Sequence, residues 1–213
     1  MLRVLITAGP TRERIDPVRY ISNYSTGKMG IALAEEFAGR GCSVTLVKGP
    51  THLSVRHRDV HVVEVECARE MLEAVQEHFA GSNVAIFAAA VADYAPASEA
   101  ASKLKKHDDR FTLELVKTAD IAATMGRQRM PGQYLVGFAL ETDDEAANAR
   151  QKLIKKNLDA IVLNSLRDPG AGFQYDTNRI TIIEKNGAEY AYPLKSKAEV
   201  AKDIADFIMQ RCG

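Results

Sequence analysis

The run Leu2-Arg3-Val4-Leu5-Ile6-Thr7, followed after a polar stretch by the amphipathic residues 28–40, constrains this chain most. A six-residue apolar run is too short for a buried helix and reads as a buried strand, so the chain opens as strand, long loop, helix. The alternation continues. Residues 43–48 and 60–65 are short apolar runs, and residues 70–79 place Met71, Leu72, Val75 and Phe79 on one helical side. Residues 84–88 are again strand-like. Short apolar strands alternating with helices imply an α/β fold with a mainly parallel sheet covered on both faces, whose ligands sit outside the carboxyl ends of the strands.

The middle of the chain is less regular. Residues 89–110 hold Pro96, many small residues and a lysine cluster, and read as a functional loop with a flap near 100–110. Residues 111–116 alternate in a way that suits antiparallel pairing. Asp120 is placed to cap a helix ending near Arg129, and residues 134–139 read as a strand. Thr142 followed by Glu145 has the spacing of a capping box before a helix reaching about residue 157; Ser196 with Glu199 repeats it before the last helix. Residues 160–163 form another strand, and 179–184 with 188–193 form a hairpin around Asn186-Gly187. A small antiparallel extension on a parallel sheet, within one domain spanning 1–213, is the expected organisation.

Composition narrows the partners. Lysine plus arginine and aspartate plus glutamate both number 28, so no global field favours nucleic acid or an anionic membrane, and any anion site is local. Cys42, Cys67 and Cys212 are odd in number and too scattered for metal-ligand spacing, which suits a reducing compartment. No run approaches the roughly 20 apolar residues of a membrane span. A cytoplasmic protein with no membrane contact is the expectation.

Ser25-Thr26-Gly27-Lys28-Met29-Gly30 opens the first helix, where free backbone amides and the helix dipole favour an anion. Gly9-Pro10-Thr11 offers a second turn to the same place. Ordinary loop glycines at a helix start explain the pattern equally well. Two familiar motifs nearly match and fail. A P-loop needs a glycine five residues before the Gly-Lys pair and a hydroxyl after the lysine, where this chain has Ser22 and Met29. Tyr24 and Lys28 have the spacing of a short-chain reductase pair, but Gly27 interrupts them at a helix start. The second strand ends in Val47-Lys48-Gly49, without the acidic residue that holds an NAD ribose, although Lys48 suits NADP.

Reading outward from that loop, Ile6-Thr7-Ala8-Gly9-Pro10-Thr11-Arg12-Glu13 and Asp16-Pro17-Val18-Arg19-Tyr20-Ile21-Ser22-Asn23 resemble the amino-terminal signature of the phosphopantothenoylcysteine synthetase family. Ala88-Ala89-Ala90-Val91-Ala92-Asp93-Tyr94, Lys103-Leu104-Lys105-Lys106, Gly137-Phe138-Ala139-Leu140-Glu141-Thr142 and Lys155-Lys156-Asn157-Leu158-Asp159 resemble later family motifs in the right order. The resemblance covers essentially the whole chain. One departure is Ala119 in Lys117-Thr118-Ala119-Asp120-Ile121, where the family commonly has proline.

The resemblance implies a three-layer fold with Rossmann-like and ribokinase-like features, a homodimer with sites near the interface, and a step in coenzyme A synthesis. The implied reaction joins 4′-phosphopantothenate to L-cysteine through an acyl-cytidylate, with CTP as co-substrate and Mg2+. Lys103 occupies the family's catalytic lysine position; as a residue of a lysine-rich loop alone it would read as solvated surface charge. Asn23 occupies the position that serves attack by cysteine on the intermediate; alone it would read as a turn asparagine. Arg19, Ala89 and Ala90 fall at substrate positions. Gly9, Ser25, Gly27, Gly30, Phe87, Ala88, Ala89, Asp93 and Lys103 fall at nucleotide positions. The backbone of Ala119, Asp120 and Ile121 would face the base, with Ala122, Phe138, Lys152 and Lys156 completing the nucleotide set. Lys152 and Lys156 are four residues apart on one helical face, and alone would read as exposed helix lysines. Asn164, residues 171–173 and residues 176–178 resemble the last family loop, without individual roles. An NADP-binding reductase and a non-catalytic nucleotide-binding module remain the alternatives.

Overall fold

The computed structural model describes residues 1–105, 110–141, 143–165 and 175–212. Its centre is β1 (Arg3–Ala8), the first apolar run. β1 pairs in parallel with β4 (Ser43–Lys48) on one side and β6 (Val84–Phe87) on the other. β5 (Val60–Glu64) extends the β4 edge; β9 (Tyr134–Glu141) and β10 (Ala160–Ser165) extend the β6 side, all parallel. β11 (Thr177–Glu184) and β12 (Glu189–Ser196) then add antiparallel, completing an eight-stranded sheet. Pro193 lies in β12, the edge strand, where a missing amide costs no ladder bond to a further neighbour.

Strand pleating divides the core. Val4, Ile6 and Ala8 of β1 pack on one face with Ile31, Leu33 and Phe37 of α1 (Lys28–Gly39) and Ile204 of α5 (Lys197–Cys212). Leu5 points to the other face, with Met71 of α2 (Ala68–Phe79), Met125 of α3 (Ile121–Gln128) and Leu153 of α4 (Glu145–Lys155). Both faces are therefore covered, as a near-continuous apolar strand requires. Among the described residues, no helix is long and apolar enough to cross a membrane. The three cysteines are free thiols, and burial pushes Cys212 up to about 11.

The expected long loop after β1 is corrected: it contains a hairpin of β2 (Arg12–Asp16) and β3 (Arg19–Ser22). Arg-Glu-Arg-Ile-Asp carries no alternating apolar pattern, because polar contacts rather than a buried face hold the hairpin. The buried Glu13 accepts from the Ala68 amide at 2.9 Å, and Arg14 pairs with Glu66 at 2.5 Å. The irregular middle also contains β7 (Tyr94–Pro96), which pairs antiparallel with β8 (Leu115–Lys117). Of residues 111–116, expected to pair antiparallel, only the last two lie in the strand, β8, and its partner lies inside the segment read as loop.

Two helix starts test the capping signals. Ser196 and Glu199 form the capping box: the Glu199 carboxylate accepts from the Ser196 amide at 3.0 Å, and the Glu199 amide donates to Ser196 Oγ at 3.3 Å. At α4 the N-cap is Asp144, with φ 42° and no side-chain cap, while Thr142 lies outside the described residues. The Asn186-Gly187 turn joins β11 to β12, with Gly187 at φ 90°.

The first helix reaches its position because Gly30 has no side chain. A Cβ there would lie 2.4 Å from Ala8 Cβ and 3.1 Å from the Thr7 carbonyl oxygen. Gly30→Ala is expected to force α1 away from β1 and cost about 1–3 kcal/mol, measured by urea unfolding.

Candidate active site

The sheet order reverses at β1: the chain goes first to β4 on one side and later returns to β6 on the other. The connections leaving β1 and β6 diverge there, opening a crevice at their carboxyl ends. Its floor is pinned by backbone and threonine contacts. Pro10 bridges Ala90, and the Ala90 amide donates to the Gly9 carbonyl at 2.9 Å. The buried Thr7 accepts from the Ala89 amide at 3.2 Å and the buried Thr11 from the Ala92 amide at 3.0 Å. Asn23 donates through Nδ2 to the Ala90 carbonyl at 3.0 Å. Asn23, Ala89 and Ala90 are thus brought together.

Gly27 caps α1 at φ 79°, with no side-chain cap, and the first turn carries no acidic residue. A Cβ on Gly27 would lie 3.3 Å from Gly9 Cα. Gly9 therefore sits directly beneath the loop. Packing of α1 on the end of β1 accounts for Gly27 and Gly30; the uncapped helix start facing the crevice follows from that packing.

Two adjoining cavities occupy the crevice. One, of about 330 Å³, lies between the Ser25–Gly30 turn, Ala88 to Val91 and Phe138. The other, of about 410 Å³, runs beneath Ala119 to Ala122 and includes Phe87, Lys152 and Lys156. Ala89, Val91, Asp93, Phe138 and Lys152 line both, so the two are continuous. Lys152 pairs with Glu141 at 2.6 Å, Lys156 with Asp120 at 3.0 Å, and Lys28 with Asp176. Each of these lysines is thus held by a carboxylate at the rim.

Lys103 and Arg19 are not brought into these cavities. They share a separate groove with Val18, Leu104 and Lys105. Asp16, only 1% exposed, organises that corner. Its carboxylate pairs with Arg19 at 2.5 Å and accepts from the Leu104 amide at 3.1 Å, while Arg19 donates to the Leu104 carbonyl at 3.0 Å. The hydrogen bond from Arg19, against the cost of burial, holds the Asp16 carboxyl well below the usual carboxylate range. Lys106 and residues 171–173 lie outside the described residues. Asp16, Thr7 and Thr11 were visible as residues of a motif, but their anchoring roles depend on contacts distant in sequence.

The reductase features are occupied otherwise. Tyr24 is 82% exposed in the loop before α1, and Lys48 pairs with Glu64 at 3.1 Å. Lys197 and Asn178, both buried, line the first cavity; Asn178 belongs to the stretch that resembles the last family loop, whereas Lys197 was not singled out in the sequence.

Asp120 does what its position predicted: it accepts from the Ala123 amide at 3.0 Å and caps α3. Burial opposes its ionisation, but the amide and Lys156 outweigh that and hold its pKa below the ordinary value. Asp120→Ala is expected to lower stability by about 1 kcal/mol at neutral pH through the lost cap. Because the folded pKa is depressed, the difference is fully present above the unfolded carboxyl pKa and shrinks as pH falls through the folded one. Urea melts of both proteins around pH 7 and around pH 2 check this.

Comparison with known proteins places this geometry. Residues 1–212 match the model of the DNA/pantothenate metabolism flavoprotein C-terminal domain. The chain is 46% identical over 201 residues to the coenzyme A biosynthesis bifunctional protein CoaBC of Bacillus subtilis (strain 168), covering 94% of this chain and 49% of that protein. It is 54% identical over 202 residues to a cysteine/cysteine sulfinic acid decarboxylase from an unknown prokaryotic organism, covering 95% of this chain and 56% of the relative. It spans about half the length of the curated relatives it matches. Among solved structures, the C-terminal domain of CoaBC superposes with a TM-score of 0.83 at 40% identity, covering 99% of this chain and 95% of that one. The chain belongs to the DNA/pantothenate metabolism flavoprotein C-terminal domain family.

Proposed function

We propose that this chain is a ligase that joins 4′-phosphopantothenate to L-cysteine, using CTP to activate the carboxylate. The observation that carries the reading is Asn23: it is fixed on the Ala90 carbonyl beside a cavity that continues to the capped start of α3. The family relationship to the bifunctional coenzyme A biosynthesis proteins supports it.

A carboxylate resists amine attack because its oxygen is a poor leaving group. In the proposed first step a carboxylate oxygen attacks the α-phosphorus of CTP, the bond to the β-phosphate bridge breaks, and pyrophosphate leaves. In the second, the cysteine amine attacks the acyl carbon, CMP departs with the bonding pair, and the amine loses a proton. Bringing a carboxylate to within ~4 Å of a phosphate charge costs about 4 kcal/mol at intermediate dielectric, so local cations are needed. Lys152 and Lys156 line the cavity, with Lys28 at the α1 start. Asn23 has an amide suited to the acyl oxygen during the second step. The backbone of Ala119 to Ile121 lines the cavity where the base would be read, and Phe138 offers a ring at the junction.

Among the described residues no cluster of three or more acidic, histidine or cysteine side chains could hold a metal ion. Single carboxylates such as Asp93 fit Mg2+, which commonly binds through one or two carboxylates together with substrate phosphates. When bound it would supply charge neutralisation.

Homodimerisation completes the reading. Val18, Tyr20, Tyr94 and Val116 are each 48% exposed or more on the β2–β3 hairpin and the β7–β8 ribbon. A second copy over this face would let Arg19 and Lys103 serve the partner's cavity.

Incubation with 4′-phosphopantothenate and CTP or ATP, without and then with cysteine, tests the proposal. Acyl-nucleotide and pyrophosphate are expected with CTP, then amide product. Their absence with both nucleotides, or nucleotide-independent release of carbon dioxide from cysteine, would sink it. Asn23→Asp is expected to accumulate acyl-cytidylate, and Lys103→Gln to slow its formation by about 10²–10³-fold. Quenched-flow analysis of the intermediate separates the two.

A further inference from the structure

The arginines of the β2–β3 hairpin are not treated alike. Arg14 pairs with Glu66 and Arg19 with Asp16. Arg12 is half-buried, yet among the described residues its guanidinium has no carboxylate or hydrogen-bond partner. It lies instead over the ring of Tyr20, 4.7 Å from the centroid. Tyr20 is its diagonal neighbour across the strand pair, since Arg12 stands opposite Ser22 and Arg14 opposite Tyr20. The ring holds one face of the guanidinium and leaves its N–H donors unused.

Arg12 and Tyr20 both line a groove of about 650 Å³. Its far wall is the segment after β4 from Pro50 to Leu53, tied down where Thr51 Oγ1 donates to the Thr26 carbonyl at 2.7 Å. Lys28 and the exposed His52 also line the groove, and no acidic residue among the described residues does. Pro10, Pro50 and Leu53 supply apolar wall. Asn23, Ser25, Thr26 and Lys28 line both this groove and the first cavity, so the two meet at Asn23.

Cations, apolar wall and no acid fit an anion carried on a partly apolar chain. 4′-Phosphopantothenate is such a molecule, with a carboxylate and a phosphate at opposite ends of a dimethyl-substituted chain. In the ligase reading its carboxylate lies at Asn23, where it meets the nucleotide. Its phosphate must then lie away from the nucleotide phosphates, which repel it. We propose that this groove binds the 4′-phosphate end of the substrate, with the stacked Arg12 guanidinium as its bidentate donor and His52 as a second contact. A planar fork already held flat can meet phosphate oxygens in two places with little further ordering. This rests on the ligase reading and adds to it the residues by which the chain tells phosphopantothenate from pantothenate.

Calorimetric titration of the full chain with 4′-phosphopantothenate, pantothenate and CTP tests the assignment. The wild-type chain is expected to bind phosphopantothenate more tightly than pantothenate. Arg12→Met keeps an unbranched stem without the charge. It is expected to weaken phosphopantothenate by about tenfold or more, the worth of one charge-assisted contact, and pantothenate and CTP by less than about twofold. Arg12→Lys keeps the charge but not the fork and should recover part of the loss. If Arg12→Met does not fold, His52→Asp at its exposed position must show the same selective loss by repelling the phosphate. Equal weakening of phosphopantothenate and pantothenate, equal weakening of CTP, or a wild-type chain with no preference for the phosphorylated ligand overturns the proposal. A blank ligase assay alongside the selective loss would refute the ligase reading alone. An active ligase whose KM for phosphopantothenate is unchanged in Arg12→Met would refute this one alone.

Discussion

The close approach of α1 to the end of β1 governs the rest of the structure. Gly30 lies against Ala8 at a distance that leaves no room for a side chain, and Gly27, at positive φ, lies in tight contact over Gly9. That contact seats the α1 apolar face, with Ile31 and Phe37, on the sheet. It also fixes the direction in which the first-turn amides face, toward the backbone that leaves β6. The glycines therefore serve packing first, and the anion-favouring helix start is a geometric result of it. A chain that packed α1 one side chain farther out would lose both the core contact and the cavity.

Charge at the crevice follows a second common constraint. Lys28, Lys152 and Lys156 each meet a carboxylate, namely Asp176, Glu141 and Asp120. A group of lysines around one cavity would otherwise repel, and a helix C-terminus alone is weak compensation for Lys152 and Lys156. The paired arrangement keeps the ammonium groups at the rim in reach of a ligand with higher charge. Asp16 plays the corresponding part outside the crevice, where it binds Arg19 and the Leu104 amide and joins the hairpin to the chain at Leu104.

Local pattern carried much of the architecture. The strands β1, β4, β6, β9 and β10 were legible because each is a short apolar run buried on both faces. The cap at Asp120, the capping box at Ser196 and the turn at Asn186-Gly187 were legible because their chemistry is complete within a few residues. The hairpin of β2 and β3 was not, since its strands are held by Glu13 to Ala68 and Arg14 to Glu66 rather than by an apolar stripe. β7 was missed for a similar reason: three residues, Tyr94–Pro96, gain strand geometry only by pairing with β8.

Sequence by itself determined the alternating α/β order, the uncapped glycine turn at the first helix, and the ordered motifs that carry the family resemblance. These are properties of neighbours along the chain, set by side-chain period and backbone freedom. Only the tertiary structure decided that Asn23 is tied to Ala90, that Lys197 reaches the same cavity as Lys28, and that Lys103 lies with Arg19 in a separate groove. Those relations join residues far apart in the chain, and they exist because sheet order and helix packing set which segments meet.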